Sequence, residues 1–128
     1  VKPFYAGFGC RGGCPMDRLL TLLEQGLAQR GLDAAYLHGI ASIDLKAHEP
    51  GLHALASHLA LPLLFYPASH LNRFEAHLSH RSAVAFAHSG CWGVAESAAL
   101  AMADQYNGET KLLITRQTLG PATLAIAH

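Results

Sequence analysis

The sequence predicts a three-layer α/β/α sandwich: a mostly parallel sheet with helices on both faces, finished by a C-terminal antiparallel hairpin. Three observations carry that prediction. Short apolar, strand-like runs alternate with amphipathic stretches of helical period along most of the chain. The first run passes through Ala6-Gly7-Phe8-Gly9-Cys10-Arg11-Gly12-Gly13-Cys14-Pro15, a strand entering a glycine-rich turn with a helix directly after it. The tail then changes character, with two apolar runs joined by Gly120-Pro121.

The elements follow in order. A first strand covers residues 4–9 and a first helix residues 15–30, with Leu19, Leu20, Leu23, Leu27 and Ala28 on one face. Pro15 suits the first helical turn and Gly31 stops the helix. Residues 38–44, with Ile40, Ala41 and Ile43, read as a second strand, and a polar loop leads from it into a helix near Pro50–Leu59. Residues 61–66 form a short third strand with Pro62 at its edge. Short helices are expected at residues 68–73 and 80–87, the latter capped by Ser79. Residues 89–93 make a turn, and residues 94–106 an alanine-rich helix ended by Asn107-Gly108. Residues 111–115 and Ala122–Ala127 are the hairpin strands. With no repeat, linker or low-complexity segment, residues 1–128 read as one domain.

Composition narrows the function classes. Hydrophobic residues make up 51% of the chain, and nine Lys and Arg balance nine Asp and Glu. That balance argues against a nucleic-acid or anionic-membrane partner held by bulk charge. No apolar stretch approaches the roughly 20 residues of a membrane helix, and no signal-peptide pattern opens the chain, so a soluble cytoplasmic protein is expected. The three cysteines read as free thiols: Cys10 and Cys14 form C-x-x-x-C rather than C-x-x-C, and no second pair follows. His48, His53 and His58 recur every five residues and cannot share a helix face. His77 and His80 could, but no carboxylate or cysteine stands at ligand spacing beside them. Neither a metal nor a cofactor is expected.

The glycine loop matches no standard phosphate motif fully. Gly7, Gly9 and Gly12 satisfy G-x-G-x-x-G, but no acidic residue ends a second strand about 20 residues on, and the Gly-Lys-Ser/Thr of a P-loop is absent. In an open α/β sheet, ligands sit beyond the carboxyl ends of the strands. Loops 9–14, 45–49 and 91–94 should meet there. With their flanks they supply the candidate ligand-binding residues Gly9, Cys10, Arg11, Gly12, Asp44, Lys46, Glu49, Gly93 and Glu96. Two cations and two helix N-termini suit a ligand bearing several carboxylates or phosphates. Plainer roles stand beside these: Glu96 complementing its helix dipole, Asp44 pairing with Lys46, small residues fitting a tight loop. Cys10 with a histidine is the candidate nucleophile, and Asp44 and Glu96 are the acid–base candidates. No catalytic residue is assigned.

Four segments together resemble the cobalamin-biosynthesis CobE family, whose fold also forms the C-terminal domain of CbiG. They are Gly7-Phe8-Gly9-Cys10-Arg11, the stretch from Ala41-Ser42-Ile43-Asp44-Leu45-Lys46 through Glu49-Pro50-Gly51-Leu52, Gly90-Cys91-Trp92-Gly93-Val94-Ala95-Glu96-Ser97, and the closing Thr123-Leu124-Ala125-Ile126-Ala127. Cys14 and His48 depart from the family pattern. The resemblance implies a role in building the corrin ring of vitamin B12, in the aerobic route, with a precorrin or corrinoid tetrapyrrole as ligand and other cobalamin-biosynthesis enzymes as partners. Arg11 would grip a ring carboxylate and Lys46 add a point charge. Two roles follow from it: a binding or carrier module, or an enzyme with the lactone-opening activity associated with CbiG.

Overall fold

The computed structural model describes residues 2–128. Strand β1, Phe4–Cys10, is buried along its whole length and lies at the centre of a five-stranded sheet ordered β3-β2-β1-β5-β4. β2 (Leu37–Ile43) pairs parallel to β1, and β3 (Leu63–Tyr66) parallel to β2. On the other side, β5 (Ala122–Ala127) runs antiparallel to β1 and to the outer strand β4 (Leu112–Leu119). β4 therefore points the same way as β1, and the hairpin turn between β4 and β5 lies at the carboxyl end of the parallel strands.

The period of two in β1 divides its side chains between two cores. Phe4, Ala6, Phe8 and Cys10 pack beneath α1 (Met16–Arg30) and α2 (Pro50–Leu59), whereas Tyr5 joins the cluster under α5 (Val94–Asn107). Helices thus cover both faces of the sheet, as expected. α1 buries Leu19, Leu22, Leu23, Gly26 and Leu27. Leu20 is only half-buried and Ala28 is exposed, so the apolar stripe is rotated slightly from the expected one. Gly31, at φ 61°, ends α1 as expected, with Leu32 N–H donating to Leu27 O at 2.9 Å. The alanines of α5 let it lie directly on β1: a Cβ on Gly7 would stand 2.0 Å from Ala95 O.

The segment between β3 and α5 differs most from expectation. The first short helix, α3, is Ala68–Leu71 and continues as a 3-10 turn over Asn72–His77. The next, α4, covers Ala83–Ser89, and its cap is Ser82, which accepts from Ala85 N–H at 3.1 Å. Ser79 does not cap it, because its hydroxyl and its N–H both bond Glu96. β4 extends past the expected residue 115 to Leu119, through a β-bulge where Thr115 and Arg116 face the single residue Ala125.

Candidate functional site

A groove of about 840 Å³ opens beyond the carboxyl ends of β1 and β2. Gly9, Cys10, Arg11 and Gly12 form one wall, and Ile43, Leu45 and Lys46 another. The opposite side is His80, Ser82 and α4, with Val84 and His88 among its lining residues. The first turn of α5, from Gly93 to Glu96, reaches the groove, and the hairpin supplies Arg116, Thr118 and Thr123. A smaller hollow of about 290 Å³, lined by Pro15, Asp17, Arg18, Thr21 and Leu119, contains none of the candidate residues.

The groove brings together seven candidates: Gly9, Cys10, Arg11, Gly12, Lys46, Gly93 and Glu96. Gly9 is needed where it stands, since a Cβ there would come within 2.4 Å of Thr123 Oγ1. Gly12, at φ 63°, and Gly13, at φ 53°, turn the chain back after β1. That reversal brings Cys10 and Cys14 to a Cα separation of 6.1 Å, within disulfide range, and the two are bonded. The expectation of three free thiols is corrected accordingly: only Cys91 is free, and it is buried. As half of a disulfide, Cys10 has no thiolate to act as a nucleophile.

Asp44 and Glu49 lie outside the groove lining. Asp44 is exposed at the start of a 3-10 turn, Asp44–Lys46, where its carbonyl accepts from Ala47 N–H at 3.0 Å. It forms no ion pair with Lys46. Glu49 stands beneath the loop, and its Oε1 accepts the Cys14 N–H at 3.3 Å. Beside it, α2 approaches so closely that a Cβ on Gly51 would lie 1.9 Å from Cys14 O. Two residues of one sequence block thus support the turn that carries Arg11.

Glu96 is buried in the first turn of α5, only 1% exposed, and both its oxygens are engaged. Oε1 accepts from Ser79 N–H at 2.9 Å and His80 N–H at 3.4 Å. Oε2 accepts from Arg116 N–H at 2.9 Å and from the Ser79 hydroxyl. Glu96 therefore ties three segments of the groove wall together. Its role exceeds dipole complementation, and no oxygen is left to meet a ligand without breaking one of these bonds.

The charge that remains available is positive. The side-chain nitrogens of Arg11, Lys46 and Arg116 make no ion pair or hydrogen bond among the described residues. The uncapped N-terminus of α5 adds backbone N–H groups in the same groove. The start of α1, by contrast, borders the smaller hollow, and the second helix start on this groove is that of α4, through Ser82, Val84 and Ala85. Arg116, Thr118, His80 and His88 were not among the sequence candidates. The signal for the first two was the polar run Thr115-Arg116-Gln117-Thr118 in an otherwise apolar hairpin. It gains meaning once β4 is known to run parallel to β1 and to end at the same rim.

These features define an α/β domain with an anion-attracting groove at its strand ends. Its family is given by comparison: the family described as "Cobalamin synthesis G C-terminus" matches residues 4–127, and the chain belongs to it. Protein CobE of Sinorhizobium sp is 37% identical over 121 residues, covering 94% of this chain and 77% of that protein. The crystal structure of CobE, a protein from the cobalamin (vitamin B12) biosynthetic pathway, superposes with a TM-score of 0.93 at 41% identity, over 98% of this chain and 89% of that one. Cobalt-precorrin-5A hydrolase of Salmonella typhimurium is 43% identical over 72 residues, which is 56% of this chain but 20% of the hydrolase. The recognition made from the sequence blocks and the α/β fold class both hold. No helix among the described residues is long and apolar enough to cross a membrane.

Proposed function

We propose that this domain binds a precorrin or corrinoid through the groove at its strand ends and holds it for the enzymes that build the ring. The observation that carries this reading is the pairing of three unpartnered cations, Arg11, Lys46 and Arg116, with apolar side chains from Ile43, Leu45, Val84 and Val94 in one groove. Corrinoid intermediates combine an apolar macrocycle with a fringe of acetate and propionate carboxylates. Guanidinium groups meet carboxylates in two-pronged hydrogen bonds, and the apolar side chains cover the ring. The volume falls within the range of small-molecule sites, about 300–1,000 Å³.

A binding role fits better than hydrolysis by this domain alone. Cys10 is in a disulfide, and Glu96 is engaged at both oxygens. Asp44 lies outside the groove lining. In the hydrolase the matching region is a fifth of the protein, so its named activity belongs to a much longer chain. The groove is partly open to solvent, which would leave part of the ring accessible to a partner enzyme of the same pathway.

The test is a visible-absorbance titration with late precorrin and corrin intermediates, run beside Arg11→Ala. A saturable shift that weakens in the variant supports the reading. No shift with any intermediate removes it, and turnover of a bound intermediate by the domain alone favours the enzymatic role instead.

A further inference from the structure

We infer that α4 is a flap that closes over a ring held in the groove, with Val84 meeting the ring from one side and Leu45 from the other. The inference rests on the corrinoid reading above and deepens it, because it makes one wall of the groove the element that sets how long the ring stays.

The argument begins with what holds α4 in place. The helix buries none of its seven residues. Among the described residues, every hydrogen bond made by Ala83–Ser89 ends within residues 82–91. The anchors lie instead in the two chain segments at its base. Ser82 N–H donates to Trp92 O at 2.8 Å and pinches those segments together. Glu96 accepts from the Ser79 and His80 N–H groups, Asn72 Nδ2 donates to Gly90 O at 2.8 Å, and Cys91 is fully buried. Arg81 lies over the Trp92 ring at 5.0 Å and pairs with Glu75. Helix α4 leans on this base through Phe86, stacked on Trp92 with ring centroids 4.4 Å apart. A short helix that buries nothing, set on a pinned base, opens locally at small cost, and ligand-closing lids are drawn from such segments.

The groove face of α4 carries what the flap would close with. Val84, Ala85 and His88 line the groove, as the helical period allows, and Phe86 does not. Val84 is 61% exposed and Leu45, on the facing wall, 64%, the highest values among the large hydrophobic side chains described. A ring between them covers both, and that apolar burial favours the closed position over the open one. Arg11, Lys46 and Arg116 belong to other segments, so they engage ring carboxylates with the flap open or closed. The cations therefore govern capture and α4 governs retention, a division between association and dissociation rates.

The experiment uses the whole chain and hydrogenobyrinic acid, a metal-free corrin with free peripheral carboxylates. Amide hydrogen exchange is followed in the free and bound protein, and association and dissociation rates are read by stopped-flow absorbance. Amides 84–89 should exchange much faster than those of α5 in the free chain and slow at least about tenfold on binding. Replacing residues 83–89 with Gly-Ser-Gly, which removes no buried side chain, should leave association nearly unchanged and speed dissociation at least about tenfold. Should that variant fail to fold, Val84→Ser at its exposed position keeps the test open, with dissociation faster by roughly tenfold and an unchanged urea midpoint. Binding with no change in exchange at 84–89, or dissociation that neither variant speeds, overturns the flap and leaves the corrinoid reading intact. Absence of binding overturns both.

Discussion

Glu96 accepts the backbone N–H of Arg116 at 2.9 Å, so a helix on one face of the sheet holds the bulge in its outer strand. The extra residue at this bulge would otherwise leave a ladder N–H without a partner, and the helix carboxylate supplies one. The same carboxylate fixes Ser79 and His80. One buried side chain thereby sets the positions of Arg116 on the hairpin and of the segment leading to α4.

Removing that carboxylate strands its donors. Glu96→Ala leaves the Ser79, His80 and Arg116 N–H groups without their acceptor, and because these bonds are only part-buried each loss costs about 0.5–1.5 kcal/mol, water replacing the carboxylate in part. A total loss of about 2–4 kcal/mol is expected in urea denaturation. Glu96→Gln should lose less, since its carbonyl oxygen still accepts on one side while its amide NH2 faces donors on the other. A Glu96→Ala variant as stable as the wild type would show that the clamp does not hold these segments.

The Cys10–Cys14 bond closes a short loop around Arg11, and Glu49 with Gly51 supports that loop from below. Replacing both cysteines with serine removes a cross-link whose chain-entropy contribution for so short a loop is about 2 kcal/mol. The double variant should lose roughly that much stability and show faster amide exchange at residues 11–13. The effect should stay local, because the Arg11 N–H bond to Pro121 O at 3.0 Å and the Glu49 contact remain. Unchanged exchange in the loop would count against the disulfide as its main restraint.

Much of this architecture is legible from local signals. Pro50 at a helix start, Gly31 at a helix end, and the apolar run Ala122–Ala127 each place their element correctly, because the cause lies within a few residues. The remainder depends on contacts that cross the chain. Ser79 and Ser82 are equivalent as caps in the sequence Ser79-His80-Arg81-Ser82, and Glu96, 17 residues on from Ser79, decides between them. The disulfide hides behind a non-standard spacing that becomes bridgeable only when Gly12 and Gly13 adopt positive φ. Arg116 enters the groove because β5 separates β1 from β4, and no local pattern declares that strand order. Asp44 and Glu49 belong to the loop that the strand-end argument brings to the groove. The 3-10 turn that follows β2 leaves Asp44 outside the lining and places Glu49 under the glycine loop.

Tyr66, at the end of β3, gives a pH dependence whose sign is fixed. Burial, and secondarily the charge of Tyr106, push its phenol up to about 12, and the hydroxyl donates to Gln105 Oε1 at 2.6 Å. An unfolded tyrosine titrates near 10. Below pH 10 the phenol is protonated in both states and contributes no pH dependence. Between about 10 and 12 the unfolded chain loses the proton first, so the folded state binds more protons and stability falls as pH rises. Tyr5 is shifted in the same direction by burial and by Tyr106. Urea denaturation of wild type and Tyr66→Phe at several pH values checks this. The variant should be the less stable near neutrality, by about 1 kcal/mol for the lost hydrogen bond, and the gap should narrow above pH 10. A constant gap would mean that Tyr66 ionises equally in both states.

The groove cations give the most direct functional prediction. Arg11, Lys46 and Arg116 come from three separate segments, so their effects on carboxylate binding should combine with little structural coupling. Each truncation to alanine should weaken binding of a corrinoid polycarboxylate about 10-fold, corresponding to loss of one charge-assisted contact. The two arginines should matter more than Lys46, because a guanidinium can hold both oxygens of a carboxylate. Affinity should also fall with added salt, and less steeply in each variant, since these groups are exposed enough to be screened. Lys2→Ala is the matching control, as Lys2 pairs with Glu109 away from the groove. Affinity equally insensitive to all four substitutions would place carboxylate recognition outside this groove. Loss confined to Arg11 would place the ligand on the glycine loop alone and leave Arg116 with a structural role in the bulge.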